Sequence, residues 1–169
     1  MLLPEVNRLS LEQFMARLGS VFEHSPWVAE RAWQHRPFSS VEELFQAMAG
    51  EVRSATRDEQ LALIRAHPEL AGREAKAGAL TADSAGEQGR LGFLALEQDE
   101  FMRIAGLNRR YREKFGFPCI VALKLHRSRA SVIAEMERRL ANDAGTELEN
   151  ALRQIGHITR GRLQKLVPA

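Results

Sequence analysis

The stretch SVEELFQAMAGEV at residues 40–52 shows the pattern that decides the fold class. It opens with Ser40 and carries Glu43 three residues later, which is the spacing of a capping box at the start of a helix. The apolar residues that follow recur every three or four positions and share one helical face; they are Leu44, Ala47, Met48 and Val52. The stretch therefore predicts an amphipathic helix with one face in a core.

Comparable helix-start signals recur along the rest of the chain. Ser10 with Gln13 forms a second capping box. Ser25 with Pro26 is typical of an N-cap followed by a proline in the first turn. Further helices are expected to begin at Asp58, at Thr81 or Asp83, at Ser128 or Ser131, and at Thr146. We expect the helix that begins at Thr81 or Asp83 to run to about Lys114.

Only residues 119–125 have the composition of a β-strand. A single short strand has no partner in this chain, so we interpret the stretch after Pro118 as a buried helix. The sequence therefore predicts an all-α fold of about seven or eight helices. It contains no repeat, low-complexity tract or linker, and its length is typical of one domain. We expect residues 1–169 to form a single domain.

Composition and charge exclude several classes of protein. Lys plus Arg is 24 and Asp plus Glu is 22, and the net charge of +2 does not imply non-specific binding to nucleic acid. No apolar run approaches the ~20 residues that span a bilayer, and no secretory signal is recognisable. We therefore expect a cytoplasmic protein that binds no membrane. The single cysteine excludes an intramolecular disulfide, and the five histidines lack the spacing of a zinc site, so no metal is expected.

Two places interrupt the helical pattern. In HPELAG at residues 67–72, Pro68 disfavours helical backbone at His67, so a helix is expected to end there. The dipole at a helix C-terminus favours a protonated imidazole. In FGFP at residues 115–118, an aromatic and glycine turn separates two helices. Among the histidines, His67 is thus the one with a special setting, either as a capping or hydrogen-bonded residue or as a catalyst.

Three polar residues, Ser84, Glu87 and Gln88, stand at positions i, i+3 and i+4 and share one helical face. One interpretation is that they line a pocket and bind a polar ligand through hydrogen bonds. The other is a solvated first turn, in which Glu87 pairs with Arg90 or with the helix dipole.

Three glycines recur at every third residue of the same helix: Gly86, Gly89 and Gly92. Their spacing fits neither of the common phosphate-binding loops. Glycine costs about 1 kcal/mol against alanine in a helix interior. The three glycines therefore suggest that another backbone or a ligand approaches this helix closely.

Two groups of arginines require an interpretation. The run from Arg109 to Lys114 stands where a long helix ends and where the dipole favours cations, so we interpret it as a solvated helix end rather than a nucleic-acid site. Arg160 and Arg162 are two residues apart in the last helix and point in different directions. One of them is expected to reach a pocket as an anion clamp and the other to face solvent. These residues alone indicate a helical domain with a polar pocket, and they name no reaction.

Three motifs taken together resemble the 2-oxo-4-hydroxy-4-carboxy-5-ureidoimidazoline (OHCU) decarboxylase family: HPELAG at 67–72, SAGEQ at 84–88 and FGFP at 115–118. The likeness extends through LALIRAHPELAG, LTADSAGEQGRLGF and IGHITRGRL and covers nearly the whole chain. It implies an all-α decarboxylase without a cofactor, usually a homodimer. The implied small-molecule reaction converts OHCU to (S)-allantoin at the end of urate degradation, with no nucleic-acid partner.

The resemblance also implies the residues of the site. His67 matches the catalytic acid and Glu87 matches its partner. The positions that contact substrate fall on Pro68, Ser84 and Gln88, on Arg162, and, largely through backbone groups, on Cys119, Ile120, Val121, Ala122 and Leu123. Arg162 is preferred to Arg160 because the family pattern places the arginine directly before a leucine, as in Arg162–Leu163.

This sequence departs from the family pattern at two positions. Cys119 stands where the family often has an aromatic residue, and Gly161 is atypical of the last helix. Neither departure removes a proposed catalytic group. Cys119 leaves open a decarboxylase that acts on a related ureido acid. The alternative is a helical module that is not an enzyme and that binds a ligand in the same pocket as a sensor. The presence of both His67 and Glu87 argues against this alternative.

Overall fold

The structure, a computed structural model, describes all 169 residues and contains no β-strand. Its α-helices are α1 (Leu3–Val6), α2 (Leu11–Leu18), α3 (Trp27–Ala32), α4 (Val41–Ser54), α5 (Arg57–Arg65), α6 (Arg73–Lys76), α7 (Ala82–Arg90), α8 (Gln98–Phe115), α9 (Arg129–Arg139) and α10 (Ala144–Leu166). Two 3-10 helices cover Trp33–His35 and Leu123–Leu125. Seven of the ten α-helices have eight residues or more, and the first 3-10 helix lengthens α3. The prediction of an all-α fold with seven or eight helices is confirmed.

Four of the predicted N-caps are confirmed. In each, the side-chain hydroxyl accepts a hydrogen bond from the backbone N–H three residues further on; the residues are Ser10, Ser40, Thr81 and Ser128. Such a bond satisfies one of the N–H groups that a helix start leaves without an acceptor. The reciprocal bond of a capping box forms at Ser10, whose backbone N–H donates to Oε1 of Gln13. At α4 it does not form, because the carboxylate of Glu43 accepts from the backbone N–H and the hydroxyl of Ser39.

Three other predicted N-caps are wrong by a few residues, although α3 begins at Trp27 as expected. The N-cap of α5 is Thr56 and not Asp58, and α10 begins at Ala144, where the Asp143 carboxylate accepts from the N–H of Thr146. The hydroxyl of Ser25 donates to the carbonyl of Glu23 and caps no helix. An N-cap residue has to stand just before the first helical residue, usually in extended backbone. Where several polar residues lie within one turn, composition does not tell which of them takes that conformation.

The predicted long helix from Thr81 to about Lys114 is also wrong, because the chain leaves the helix after Arg90 and resumes it at Gln98. Gly92 adopts a left-handed backbone conformation with φ of 80°, which ends a helix. The Arg129 guanidinium then donates to the carbonyl of Leu91 at 3.0 Å. The spacing of apolar residues continues across this break, and for that reason it did not reveal the turn.

The stretch after Pro118 is not a buried helix, as the sequence had suggested. Residues 119–122 form neither helix nor strand, and the 3-10 helix Leu123–Leu125 follows them. Side chains from two helices bind this backbone: Arg139 donates to the Ile120 carbonyl, and Gln154 accepts from the Ala122 N–H. Side chains thus replace secondary structure as the partners of two backbone groups in this segment.

The chain divides into two compact units. The first consists of Met1–Ala66 and Gly156–Ala169, and within it α3 contacts both α2 and α4. Its fully buried apolar side chains include Phe14, Leu18, Val28, Leu44 and Met48. The side chain of Asn7 exchanges two hydrogen bonds of 2.8 Å with the backbone of Phe38, which ties the start of the chain to the segment before α4.

The second unit is His67–Ile155. Within it α8 contacts α9, and α7 contacts the 3-10 helix Leu123–Leu125. Its buried side chains include Phe93, Ile104, Tyr111, Val132 and Met136. That residues 1–169 act as a single domain stays a prediction. None of the helices has both the length and the apolar composition that crossing a bilayer requires.

No backbone approaches the three glycines of α7 and the turn after it, so that part of the expectation is wrong. A Cβ on Gly86 would meet nothing within 4 Å, and one on Gly89 would lie 3.6 Å from Cδ1 of Leu94. Gly92 is different, since a Cβ there would lie 2.6 Å from Nη1 of Arg129.

We expect Gly86→Ala to raise the free energy of unfolding by up to about 1 kcal/mol, because alanine is the better helix former and has room here. Gly92→Ala should lower it, since φ of 80° strains a residue with a side chain and the Arg129 guanidinium would have to move. Urea unfolding of both variants measures the two effects. A loss of stability in Gly86→Ala would contradict the open space around that position.

Candidate functional site

The turn at residues 67–72 follows directly on α5, which ends at Arg65, so the predicted helix end before Pro68 is confirmed. His67 is buried, with 6% of its surface exposed. Ala71 adopts a left-handed backbone conformation with φ of 47°, which costs a residue with a side chain about 1 kcal/mol or more. A Cβ on Gly72 would lie 2.7 Å from the Cβ of Glu69, so this tight turn requires glycine at its end.

Side chains from two helices hold the turn in this conformation. Oε1 of Gln88 accepts from the Ala71 N–H at 3.0 Å, and its Nε2 donates to the Glu69 carbonyl at 3.3 Å. From α8, Nδ2 of Asn108 donates to the Leu70 carbonyl at 2.8 Å. The left-handed conformation at Ala71 is thus maintained by bonds that a relaxed backbone would lose.

The polar face of α7 is not the solvated first turn that one interpretation proposed. Ser84 and Gln88 are 5% and 3% exposed, and Glu87 is half-buried. Arg90 does not pair with Glu87; its guanidinium donates instead to the carbonyls of Leu123 and His126. The face therefore lies inside the protein, as a pocket-lining face does.

The segment Cys119–Leu123 is buried along its whole length, with each residue at most 5% exposed. It begins after the FGFP turn, where Gly116 ends α8 in a left-handed conformation with φ of 78°. Aromatic rings surround this turn: the ring centroid of Tyr111 lies 4.5 Å from that of Phe115 and 5.9 Å from that of Phe117. The glycine conformation and the ring cluster together set the direction in which the segment leaves α8.

A buried ion pair between Arg139 and Glu147 binds the backbone of this segment. Nε of Arg139 donates to Oε1 of Glu147 at 2.7 Å, and Nη1 donates to the Ile120 carbonyl at 2.5 Å. The hydroxyl of Tyr111 donates to the same Oε1 at 2.6 Å. The amides of Asn142 and Asn150 donate to Oε2 of Glu147 at 3.0 and 2.6 Å. A carboxylate with four donors is fully satisfied although none of its residue surface is exposed.

Helix α7 thus connects the other two segments that the sequence singled out. Gln88 binds the turn after His67, and Arg90 binds the carbonyl of Leu123. All the predicted site residues except Arg162 belong to this second unit. A polar cleft of about 510 Å³ borders the turn and is lined by other residues, among them Glu69, Arg73, Lys76, Asn108 and Arg112.

Arg162 belongs to the first unit, where it is buried, with 5% of its surface exposed. Its Nη1 donates to Oε2 of Glu23 at 2.7 Å and to the Val21 carbonyl at 3.4 Å. Arg160 is half-buried and donates to Oε2 of Glu42 at 2.5 Å. The expectation that the two arginines point in different directions is confirmed.

Sequence reasoning missed the buried residues that support the segment, above all Arg139, Glu147 and Gln154. A signal for the first two was present. Arg139 continues the apolar stripe of Val132 and Met136 on α9, at spacings of four and three residues. Glu147 likewise shares a face of α10 with Ala151 and Ile155. A charged residue in an otherwise apolar stripe indicates a buried and paired charge.

We expect the ion pair between Arg139 and Glu147 to make the free energy of unfolding depend on pH. Burial alone would raise the pKa of Glu147, but hydrogen bonds from Tyr111, Asn142 and Asn150 and the charge of Arg139 lower it below the ordinary value. A carboxyl with a lowered pKa stabilises the fold above its unfolded pKa of about 4.3, and that contribution is lost as pH falls through the folded pKa. Unfolding free energies measured from about pH 7 to about pH 3 should fall less steeply in Glu147→Gln than in the wild type. Glu149→Gln, an exposed position on the same helix, is the control, and an equal slope in Glu147→Gln and the wild type would contradict the prediction.

The thiol of Cys119 should be chemically inert in the folded protein. Burial raises its pKa to about 12, and only 2% of the residue is exposed. Because the thiolate is the reactive form, we expect no alkylation by iodoacetamide at about pH 8 in buffer and complete alkylation in urea. Mass spectrometry of the intact chain measures both. Rapid labelling without denaturant would show that the segment opens.

Comparisons with known proteins cover nearly the whole chain. Residues 7–164 match the family model described as OHCU decarboxylase. The chain is 42% identical over 161 residues to 2-oxo-4-hydroxy-4-carboxy-5-ureidoimidazoline decarboxylase of Haloferax volcanii, which covers 95% of this chain and 93% of that protein. It is 37% identical to the protein of the same name from Mus musculus, over 98% of this chain and 92% of that protein. It also matches 32% of the uric acid degradation bifunctional protein PucL of Bacillus subtilis, at 37% identity.

Two solved structures share the fold. A crystal structure of (S)-allantoin synthase superposes with a TM-score of 0.79 at 24% identity and covers 99% of this chain, which spans 54% of that one. A crystal structure of OHCU decarboxylase in the presence of (S)-allantoin gives a TM-score of 0.70 at 22% identity, over 88% of this chain and 96% of that one. At these identities the likeness establishes the all-α fold.

Proposed function

The chain belongs to the OHCU decarboxylase family, and from this premise we propose that it converts 2-oxo-4-hydroxy-4-carboxy-5-ureidoimidazoline to (S)-allantoin and carbon dioxide, the last step of urate degradation. The observation that carries the proposal is the family match over residues 7–164, within which HPELAG, SAGEQ and FGFP all stand. The contacts that Gln88 and Arg90 make from α7 support it, because they link HPELAG to the helix that carries SAGEQ and that helix to the segment that follows FGFP.

The proposed reaction breaks one carbon–carbon bond and forms one carbon–hydrogen bond. The carboxylate leaves as carbon dioxide, and its bonding electron pair passes into the adjacent ring as an enolate-like anion. A proton then adds to the neighbouring ring carbon, which bears the ureido group, and the hydroxyl on the carbon that lost the carboxylate becomes the carbonyl of allantoin. Since the substrate delocalises the charge itself, the chemistry needs no added electron sink, and we propose a reaction without a cofactor or a metal. What the protein supplies is orientation of the carboxylate and a proton on one face.

We propose His67 as the catalytic acid and Glu87 as its partner. His67 bonds the hydroxyl or carboxylate and supports proton delivery, while Glu87 binds ureido or ring N–H groups and orients the histidine. The burial of His67 and the firmly held turn around it support this role, because a proton donor has to keep one orientation. General acid–base catalysis of this kind contributes about 10²–10⁴-fold to a rate.

Substrate binding is proposed for Pro68, Ser84 and Gln88, for the backbone of Cys119–Leu123, and for Arg162, which would hold a carbonyl or the developing anion. Arg162 is buried whereas Arg160 is only half-buried, and this difference supports the choice between the two arginines. Its role follows from the family pattern alone, and so does the proposal that the protein is a homodimer. We also propose that the protein is cytoplasmic. Light scattering on the purified protein tests the dimer.

The test generates the unstable substrate in situ from urate with urate oxidase and hydroxyisourate hydrolase. Circular dichroism then follows the appearance of chiral allantoin. We expect fast formation of one enantiomer with the wild type, and a rate at least ~10²-fold lower with His67→Ala and with Glu87→Ala. Arg160→Ala, at a half-buried position outside the proposed site, is the control and should keep the wild-type rate.

A racemic product at the spontaneous rate would contradict the proposal. Turnover of a different ureido acid in a substrate panel would assign the chain to a related decarboxylase, in line with the unusual Cys119. Binding of allantoin without turnover would identify a ligand sensor instead. A rate that stays flat across the pH range in which an exposed histidine titrates would contradict the acid role of His67.

A further inference from the structure

We propose that Arg139 and Gln154 are positioning residues that shape the backbone of Cys119–Leu123 into the edge that binds the substrate. This inference rests on the proposed function, and it assigns a role to two residues that lie outside the catalytic motifs. Neither is proposed to touch the substrate. Each acts through a hydrogen bond to the backbone between Pro118 and the 3-10 helix Leu123–Leu125.

The first argument is where the backbone bonds of the segment go. The Ile120 carbonyl accepts from Nη1 of Arg139 at 2.5 Å, and the Ala122 N–H donates to Oε1 of Gln154 at 2.8 Å. The Ala122 carbonyl accepts from the N–H of Leu125 at 3.0 Å. A segment without helix or strand is therefore held at alternate residues by side chains from α9 and α10.

The second argument concerns two backbone N–H groups of the segment that have no acceptor. The N–H groups of Ile120 and Val121 donate to no atom of the protein, although these residues are only 3% and 5% exposed. A buried backbone N–H without an acceptor is rare, and it costs roughly as much as a lost hydrogen bond. Two neighbouring donors of this kind suit an oxygen of a small polar ligand. The Arg139 bond to the Ile120 carbonyl fixes the peptide plane that leads to the Val121 N–H.

The third argument is the small net stabilisation that a buried ion pair contributes. Burying an arginine with a glutamate seldom stabilises a fold more than apolar residues of the same size would. Here the Glu147 carboxylate holds Arg139 through Nε, while Nη1 remains directed at the Ile120 carbonyl. An arrangement that stabilises the fold no more than apolar residues of the same size would, but that fixes one backbone carbonyl, is suited to orientation.

The test compares conservative and disruptive variants of both residues. Gln154→Glu keeps an acceptor for the Ala122 N–H, and Gln154→Leu removes it at similar size. Arg139→Lys keeps the charge beside Glu147 but loses the planar fork that reaches the carbonyl. Arg129→Lys is the matched control, because Arg129 lies on the same helix and also binds a carboxylate and a carbonyl, those of Glu100 and Leu91.

We expect Gln154→Leu and Arg139→Lys to raise KM about tenfold, the effect of one lost hydrogen bond, with a smaller change in kcat. Gln154→Glu and Arg129→Lys should keep the wild-type KM. Hydrogen exchange without substrate gives a second readout. Peptides that cover residues 117–125 should exchange faster in Gln154→Leu than in the wild type, and not in Gln154→Glu.

Three outcomes would overturn the inference: a wild-type KM and exchange rate in Gln154→Leu, an equal loss in Gln154→Glu and Gln154→Leu, or a rise in KM with Arg129→Lys as large as with Arg139→Lys. If Arg139→Lys does not fold, the two Gln154 variants decide. A wild-type protein without turnover would contradict the proposed function, and the exchange measurement would still decide whether Gln154 positions the segment.

Discussion

The carboxylate of Glu147 is the group on which the second unit most depends. It is wholly buried, and it accepts hydrogen bonds from Tyr111 on α8, from Arg139 on α9, from one asparagine before α10 and from one within α10. A charge in such a place is tolerated only when each of its acceptor sites has a donor. The donors that this carboxylate requires therefore constrain three helices at once. Through Arg139, the same constraint extends to the backbone at Ile120.

A second set of constraints starts from α7. The Gln88 amide holds the strained backbone at Ala71, and the Arg90 guanidinium binds the end of the segment Cys119–Leu123. Both are bonds from a side chain on a helix to a backbone without regular structure. Such stretches have to find hydrogen-bond partners outside themselves. Hydrogen bonds from side chains on the helices supply these partners. They also restrict the irregular stretches to a small range of conformations, which a binding site needs.

The helix pattern could be predicted wherever a local signal was sufficient. Ser10, Ser40, Thr81 and Ser128 cap the helices that their positions indicated. The end of α5 before Pro68 follows from sterics between adjacent residues. The errors arose where local signals compete or are silent. Polar residues around α5 and α10 offered several caps, and the left-handed turn at Gly92 left the apolar spacing undisturbed.

The sequence by itself determined the all-α class, the sharp turn after His67 and the three motifs that indicate the family. All of these depend on residues that are neighbours in the chain. Only the tertiary structure decided that Ser84 and Gln88 are buried, that Arg162 rather than Arg160 is enclosed, and that Arg139 and Gln154 hold the segment at Ile120 and Ala122. The physical reason is that burial and pairing depend on contacts between residues far apart in sequence, and the free energy of a polar group is set by the partners it finds there.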